Sequence, residues 1–133
     1  MTPVEGLFVL AHLGIPHVDP DTWTLTIDGL VRHPTRLALN GLMQRRNHHV
    51  DAVHACVGSP LAPDVPQRRV VNVVWGGVAL DELLDELGIL PETAFIWSYG
   101  LDHGDFYGTT SDAYLKDLPL GRVAAGDVLL ARV

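Results

Sequence analysis

The feature that most restricts the fold of this chain is how little of it can form a long helix. Leu80, Leu83, Leu84 and Leu87 recur at helical spacing, with Asp81, Glu82, Asp85 and Glu86 between them. Gly88 follows where a helix C-cap belongs. The pattern predicts an amphipathic helix with its leucines inward and its four acids outward. Elsewhere the 13 glycines and 9 prolines cut the chain into short apolar runs, so strands must supply most of the architecture.

Trp23, Leu25 and Ile27 alternate with polar residues in a strand that Gly29 closes, and a second short strand is expected at 35–39. Asn40 is a candidate N-cap for a short helix over 41–46, with Arg45 and Arg46 solvated at its C-terminal end. Residues 50–56 read as a strand. Residues 58–67, which include Pro60, Pro63 and Pro66, read as a loop. An apolar run from Val70 to Trp75 is expected to end at Gly76-Gly77. Residues 94–99 predict a strand with Phe95, Trp97 and Tyr99 on one side. A turn at 100–104, an extended stretch at 105–109, a short helical segment at 111–115 and a last strand at 127–133 complete the reading. Residues 7–13 are apolar and run into Gly14-Ile15-Pro16, which makes them a short strand or an extended arm. The expectation is one α+β domain over residues 1–133, mixed and β-rich.

A chain of 133 residues with 47% hydrophobic and 19% charged residues is globular. Its net charge of −7 and lack of a long basic run argue against nucleic acid. No apolar run approaches the roughly 18 residues of a membrane span. No secretory signal is visible after Met1, which leaves the compartment open with the cytoplasm as the default expectation. The single cysteine excludes an internal disulfide.

That cysteine is the chemical focus. Val53-His54-Ala55-Cys56-Val57-Gly58-Ser59-Pro60 sets it at the end of an apolar run, against a glycine turn. A strand that delivers one thiolate to a loop offers sulfur to a metal or an electrophile. A small buried apolar residue is the competing reading. His54 and Cys56 share a strand face, and His48 and His49 lie close in sequence. A zinc site needs three or four protein ligands, and no standard spacing is present. Neither a nucleophile elbow nor a phosphate loop occurs.

Several short motifs, in order, resemble the molybdenum-cofactor domain of the sulfite oxidase family of molybdopterin-dependent oxidoreductases. They are His12 with Ile15-Pro16, Asp19-Pro20-Asp21-Thr22-Trp23, Ile27-Asp28-Gly29, Cys56-Val57-Gly58-Ser59 and Trp75-Gly76-Gly77-Val78-Ala79-Leu80. Gly100-Leu101-Asp102, Tyr114, Leu118-Pro119-Leu120 and Val128-Leu129-Leu130-Ala131 follow. The resemblance implies a sulfite-oxidase-like fold and a molybdenum–molybdopterin cofactor. It implies Cys56 as the molybdenum ligand, and His12, Ser59 and Asp102 as cofactor contacts. Tyr114 would be the tyrosine beside the metal. The implied reaction is two-electron oxygen-atom transfer on a small oxyanion or oxo-substrate. Electrons would be exchanged with an external carrier such as a haem protein.

The chain departs from the family pattern at Leu10, where an arginine is usual, at Ser59, where asparagine is usual, and at Pro60-Leu61, where another arginine is usual. Arg68, Arg69 and Lys116 are the candidates to replace the missing cations. The family's later His-Gly-x-Pro-x-Arg and lysine-rich segments lie outside the sequence, which implies a truncated, N-terminal portion of the domain. The competing expectation is a non-catalytic binding or assembly module, with self-association through an exposed strand edge.

Overall fold

The computed structural model describes residues 1–60, 62–64 and 68–132. Its strands form four small sheets. β1 (Thr24–Ile27) pairs antiparallel with β2 (Thr35–Ala38). β3 (His48–Ala55) pairs along its whole length with β4 (Val70–Ala79), which also takes β9 (Leu129–Ala131) at its far end. β5 (Phe95–Tyr99) pairs with β8 (Leu115–Pro119), and β6 (Gly104–Phe106) with β7 (Thr109–Ser111). The helices are short: α1 (Leu39–Met43), α2 (Leu80–Leu87) and α3 (Leu120–Val123).

The predicted amphipathic helix is α2, and it organises the interior in two directions. Leu83 and Leu87 join Leu42 and Val78 in one buried cluster, against which Trp23, Leu25, Ile27, Val31 and Leu37 pack. Leu80 and Leu84, the alternate i,i+4 pair, join Val123 in a second cluster flanked by Ile96, Leu118 and Val128. Leu130 on β9 packs against both clusters. Gly88 ends α2 at φ +69, the left-handed conformation that a C-cap glycine adopts without a Cβ penalty. Glu82 and Glu86 do face outward and meet partners there. Glu86 receives both guanidinium nitrogens of Arg45, at 2.6 and 3.0 Å, and Glu82 lies 3.1 Å from His48. Arg45 is therefore paired and not simply solvated. Asp81 departs from the outward pattern: its Oδ1 is buried and has no hydrogen-bond partner among the described residues, and its Oδ2 lies against the turn at Gly126.

Several sequence expectations are corrected. α1 starts at Leu39 behind Ala38 and stops at Met43, so Asn40 is inside it and does not cap it. At its C-terminal end the Arg132 guanidinium donates to the carbonyls of Leu42 and, just past the helix, Arg45. Gly76-Gly77 do not end β4, which continues to Ala79. A Cβ on Gly77 would overlap the Leu130 carbonyl, so the glycine is what admits β9. Residues 111–115 are not helical. Ser111 ends β7 and turns its hydroxyl to the Ala113 carbonyl at 2.7 Å, and Leu115 begins β8 opposite Tyr99. The last strand is shortened to Leu129–Ala131, and Val133 lies outside the described residues. In the loop at 58–67, positions 61 and 65–67 also lie outside them. Residues 7–13 take the arm alternative and carry no strand.

Phe95, Trp97 and Tyr99 share one side of β5, as expected, and it is the outer side. They are 52%, 57% and 72% exposed, whereas Ile96 between them packs into the second cluster.

Candidate functional site

The residues singled out from the sequence fall into two groups, tied together by the N-terminal arm. The first is the turn that follows β3. The strand ends at Ala55, so Cys56 is the first residue beyond it, a half-buried free thiol. The chain then turns through Val57, Gly58 and a cis Ser59–Pro60 bond. Arg69, which leads back into β4, fastens this turn through three of its groups. Its carbonyl accepts the Cys56 N–H at 3.0 Å, its own N–H donates to Ser59 Oγ, and its Nη1 donates to the Gly58 carbonyl at 3.4 Å. Ser59 N–H donates back to the Cys56 carbonyl at 3.1 Å. Among the candidate cations, Arg69 meets the cysteine turn. Lys116 sits on β8 opposite Ser98.

The second group surrounds a cavity. Tyr114 N–H donates to the Asp102 carbonyl at 3.1 Å, and Gly100 N–H donates to the Tyr114 carbonyl at 2.8 Å. These two bonds cinch the neck of the segment that carries the β6–β7 hairpin. The fit at the neck is close, because a Cβ on Gly100 would meet both Asp102 Oδ1 and the Tyr114 side chain. At the hairpin tip, Tyr107 (φ +48) and Gly108 (φ +80) both adopt positive φ, as a tight two-residue turn demands. Tyrosine holds that conformation only at a cost, and here it holds its ring beside Phe106 at 4.7 Å. His12 reaches the same place from the arm. Its ring centre lies 4.5 Å from Phe106 and 6.3 Å from Tyr114, at 26° to the tyrosine plane. These rings, with Leu13, Ser111 and neighbouring residues, line an open cavity of about 540 Å³. That is within the usual range of roughly 300–1,000 Å³ for small-molecule sites.

The arm spans the two groups. Thr2 exchanges two hydrogen bonds with Asn72 on β4, through its N–H and its hydroxyl. Phe8 packs on His54, two residues before Cys56, and His12 enters the cavity. His54 also faces Trp75 at 5.7 Å, so aromatic rings flank it on two sides. Among the described residues, no three of His, Cys, Asp and Glu gather as a metal-binding set.

The structure therefore brings His12 and Tyr114 together at the cavity, ties Asp102 to the Tyr114 main chain behind it, and sets Cys56 and Ser59 in a separate braced turn. Sequence reading left Phe106 and Tyr107 unassigned. Their one sequence signal was Tyr107-Gly108, a turn pair inside an extended stretch. Arg69 was named as a candidate, but its place depended on the β3–β4 register, which fixes Ala55 opposite Val70.

Comparison with known proteins adds a consistent set of relatives. A family model described as the oxidoreductase molybdopterin binding domain matches residues 12–132. The mitochondrial sulfite oxidase of Drosophila melanogaster is 30% identical over an alignment that takes in 98% of this chain and 24% of that protein. The sulfite oxidase of Gallus gallus is also 30% identical, over 98% of this chain and 31% of that protein. A nitrate reductase [NADPH] of Phytophthora infestans is 27% identical over 82% of this chain and 14% of its own length. The chain thus spans less than a third of each of these relatives. Among solved structures, that of the sulfane dehydrogenase SoxCD from Paracoccus pantotrophus shares the fold, with a TM-score of 0.70 at 24% identity. That match covers 89% of this chain and 30% of the SoxCD chain.

Proposed function

The chain belongs to the oxidoreductase molybdopterin-binding domains of sulfite oxidase and nitrate reductase type, and from that premise we propose that Cys56 supplies the protein's thiolate to the molybdenum of a pterin cofactor. The observation that carries this reading is the braced turn. A single half-buried thiol is held at a strand end by hydrogen bonds through Arg69 and Ser59, within a chain whose described residues build no other metal-ligating cluster.

The residues fit such a group. A metal that takes two sulfurs from a dithiolene needs only one thiolate from the protein, which is what the turn offers. A planar heterocycle suits a cavity walled by His12, Phe106 and Tyr114. When bound, the cofactor supplies a two-electron centre that exchanges an oxygen atom with a small oxyanion or oxo-substrate. An external carrier such as a haem protein takes or gives the electrons.

The chain's own part is orientation. Cys56 is presented with its main chain already committed to Arg69, so the backbone position from which the sulfur projects is set before a metal arrives. His12 offers ring contact and an N–H to the pterin from the arm. Asp102 and Gly100 fix the main chain of Tyr114, whose half-exposed phenol can donate a hydrogen bond to a substrate oxygen. Ser59 contributes by holding the turn, since its hydroxyl oxygen accepts from Arg69.

The test is the molybdenum and zinc content of the chain purified from cells that make the cofactor, beside Cys56→Ser. Stoichiometric molybdenum that is lost in the serine variant supports the reading. Equal molybdenum in both, or none in the parent, refutes it, and zinc in the parent alone would revive a His/Cys site.

A second reading, a non-catalytic binding or assembly module, has one observation in its favour. Phe95, Trp97 and Tyr99 form an exposed aromatic row on the outer side of β5, opposite Pro119, Asp117 and Leu115 of β8, with the Asp117 carboxylate interrupting the apolar surface at its middle. Molybdenum-free protein that self-associates, and that becomes monomeric in Trp97→Ser, would favour it.

A further inference from the structure

Among the described residues, Tyr107 alone holds a positive φ, +48, without being glycine. A two-residue hairpin turn prefers asparagine, aspartate or glycine at that position, because a bulky side chain is strained there. The ring gains little packing in return, since Tyr107 is 95% exposed and meets Phe106 edge-on. Strain kept at an exposed position points to a contact made outside the chain. The cavity that Tyr107 helps to line lies beside it.

The wall of that cavity is aromatic and carries no fixed charge. Phe106, Tyr107 and Tyr114 supply rings, and among the described residues no lysine, arginine or carboxylate lines it. The segment 100–115, which carries the hairpin, has Asp102, Asp105 and Asp112 and neither lysine nor arginine. In the arm, residues 7–15 hold no acid or base besides His12. An anion entering here would give up its hydration to rings, with acids and no cation nearby. Neutral donors are present, in the hydroxyls of Thr109 and Tyr114 and in His12. Ser111 is not one of them, because its hydroxyl is spent on the Ala113 carbonyl.

We propose that this cavity takes an uncharged, dipolar aromatic oxide of the heteroaromatic N-oxide class, and that Tyr107 is the ring that binds it at the rim. Such a molecule has a planar body for the rings and a positive nitrogen that a ring quadrupole attracts. Its oxygen accepts from a hydroxyl. Binding rests on the cavity alone. The reaction rests on the Cys56 reading, of whose two substrate kinds the cavity favours the oxo-compound over the oxyanion. In the net change the N–O bond breaks and the oxygen leaves as water with two protons. The external carrier supplies the two electrons, and the free heteroarene departs.

The experiment is calorimetric titration of the cofactor-free chain with quinoline N-oxide and with naphthoate, which has nearly the same outline and a full negative charge. The parent should bind the oxide, and naphthoate at least about tenfold more weakly. Tyr107→Asn removes the ring and suits the turn. It should weaken the oxide about two- to tenfold and melt no lower than the parent. Tyr107→Phe keeps the ring and should bind as the parent does. So should Phe95→Ala, whose ring lies on the outer side of β5.

No binding by the parent, naphthoate bound as well as the oxide, or unchanged affinity in Tyr107→Asn overturns the proposal. A lower melting temperature in Tyr107→Asn overturns it too, by making the ring part of the fold. The molybdenum-loaded chain supplies the last comparison. Oxide that binds there as well supports a substrate place. Oxide that binds only the cofactor-free chain makes the cavity the pterin's seat and overturns the proposal. A chain that takes up no molybdenum sinks the reading of Cys56 and leaves the cofactor-free titration to decide this one.

Discussion

Replacing Arg132 with alanine removes a clamp that joins the last described strand to the first helix. Its Nη1 donates to the Leu42 carbonyl at 2.6 Å, its Nη2 to the Arg45 carbonyl at 2.9 Å, and its Nε to Asn47 Oδ1 at 3.1 Å. Hydrogen bonds to a charged partner contribute about 1.5–3 kcal/mol each. The sum overstates the loss, because the two carbonyls end a helix and can accept from water once the arginine is gone. The arginine side chain, moreover, gives up about 2 kcal/mol of rotamer freedom to be held there. A net loss of about 2–3 kcal/mol is expected. With an unfolding entropy of about 2.1 cal/mol/K per residue, that lowers the melting temperature of a chain this long by about 7–11 °C. Urea unfolding followed by tryptophan fluorescence is the assay, and the midpoint should fall with the slope unchanged. Arg132→Lys restores a charge and one point donor, so it should recover less than half of the loss. An alanine variant within about 0.5 kcal/mol of the parent, or full recovery by lysine, would refute the clamp.

The adjoining glycines give a paired test. Gly77→Ala drives a methyl into the Leu130 carbonyl and should cost at least about 2 kcal/mol. Gly76→Ala meets only the Asn47 side chain, at 3.2 Å, and should cost less than about 1 kcal/mol in the same denaturant series. The Arg45–Glu86 pair gives a pH dependence. The hydrogen bonds from Arg45, and then its charge, hold the Glu86 carboxyl below its ordinary value. A lowered folded-state value stabilises above the ordinary carboxylate range, and that contribution is lost as pH falls through the lowered value. The pair is exposed, so the effect is small and screened by salt. Thermal melts of Glu86→Gln and the parent at low salt should differ at neutral pH and converge in acid. A gap that widens on acidification would contradict the assignment.

What the sequence disclosed was whatever depends on local chemistry. The i,i+4 leucines and Gly88 defined α2, and the alternation of Trp23, Leu25 and Ile27 defined β1 and its inward face. Motif order pointed to the family and so to Cys56, His12, Asp102 and Tyr114 as residues of interest. What stayed hidden depends on partners distant in sequence. Asn40 has the composition of a helix cap, but α1 begins a residue earlier behind Ala38, and the carbonyls at its far end are taken by Arg132, 90 residues on from Leu42. Gly76-Gly77 read as a stop, and β4 runs through them because β9 arrives alongside. Residues 111–115 carry polar and apolar residues in no decisive period, and pairing with β6 and β5 decided them. Arg69 meets the cysteine only because the β3–β4 ladder folds it back onto the turn.

Leu130 touches both apolar clusters, and it stands on a strand three residues long. α2 supplies buried leucines to each cluster, but a helix can rock between two half-cores. A side chain wedged between them from a second direction keeps them in step. The chain's cooperativity thus concentrates at a small point: with β9 seated, the two half-cores melt together, and with it loosened each becomes its own unit. Slow-exchanging amides would then fall into two sets with separate opening energies, and the calorimetric enthalpy would exceed the van't Hoff value. One leucine near the end of the described chain thus decides whether this protein unfolds in a single step or in two.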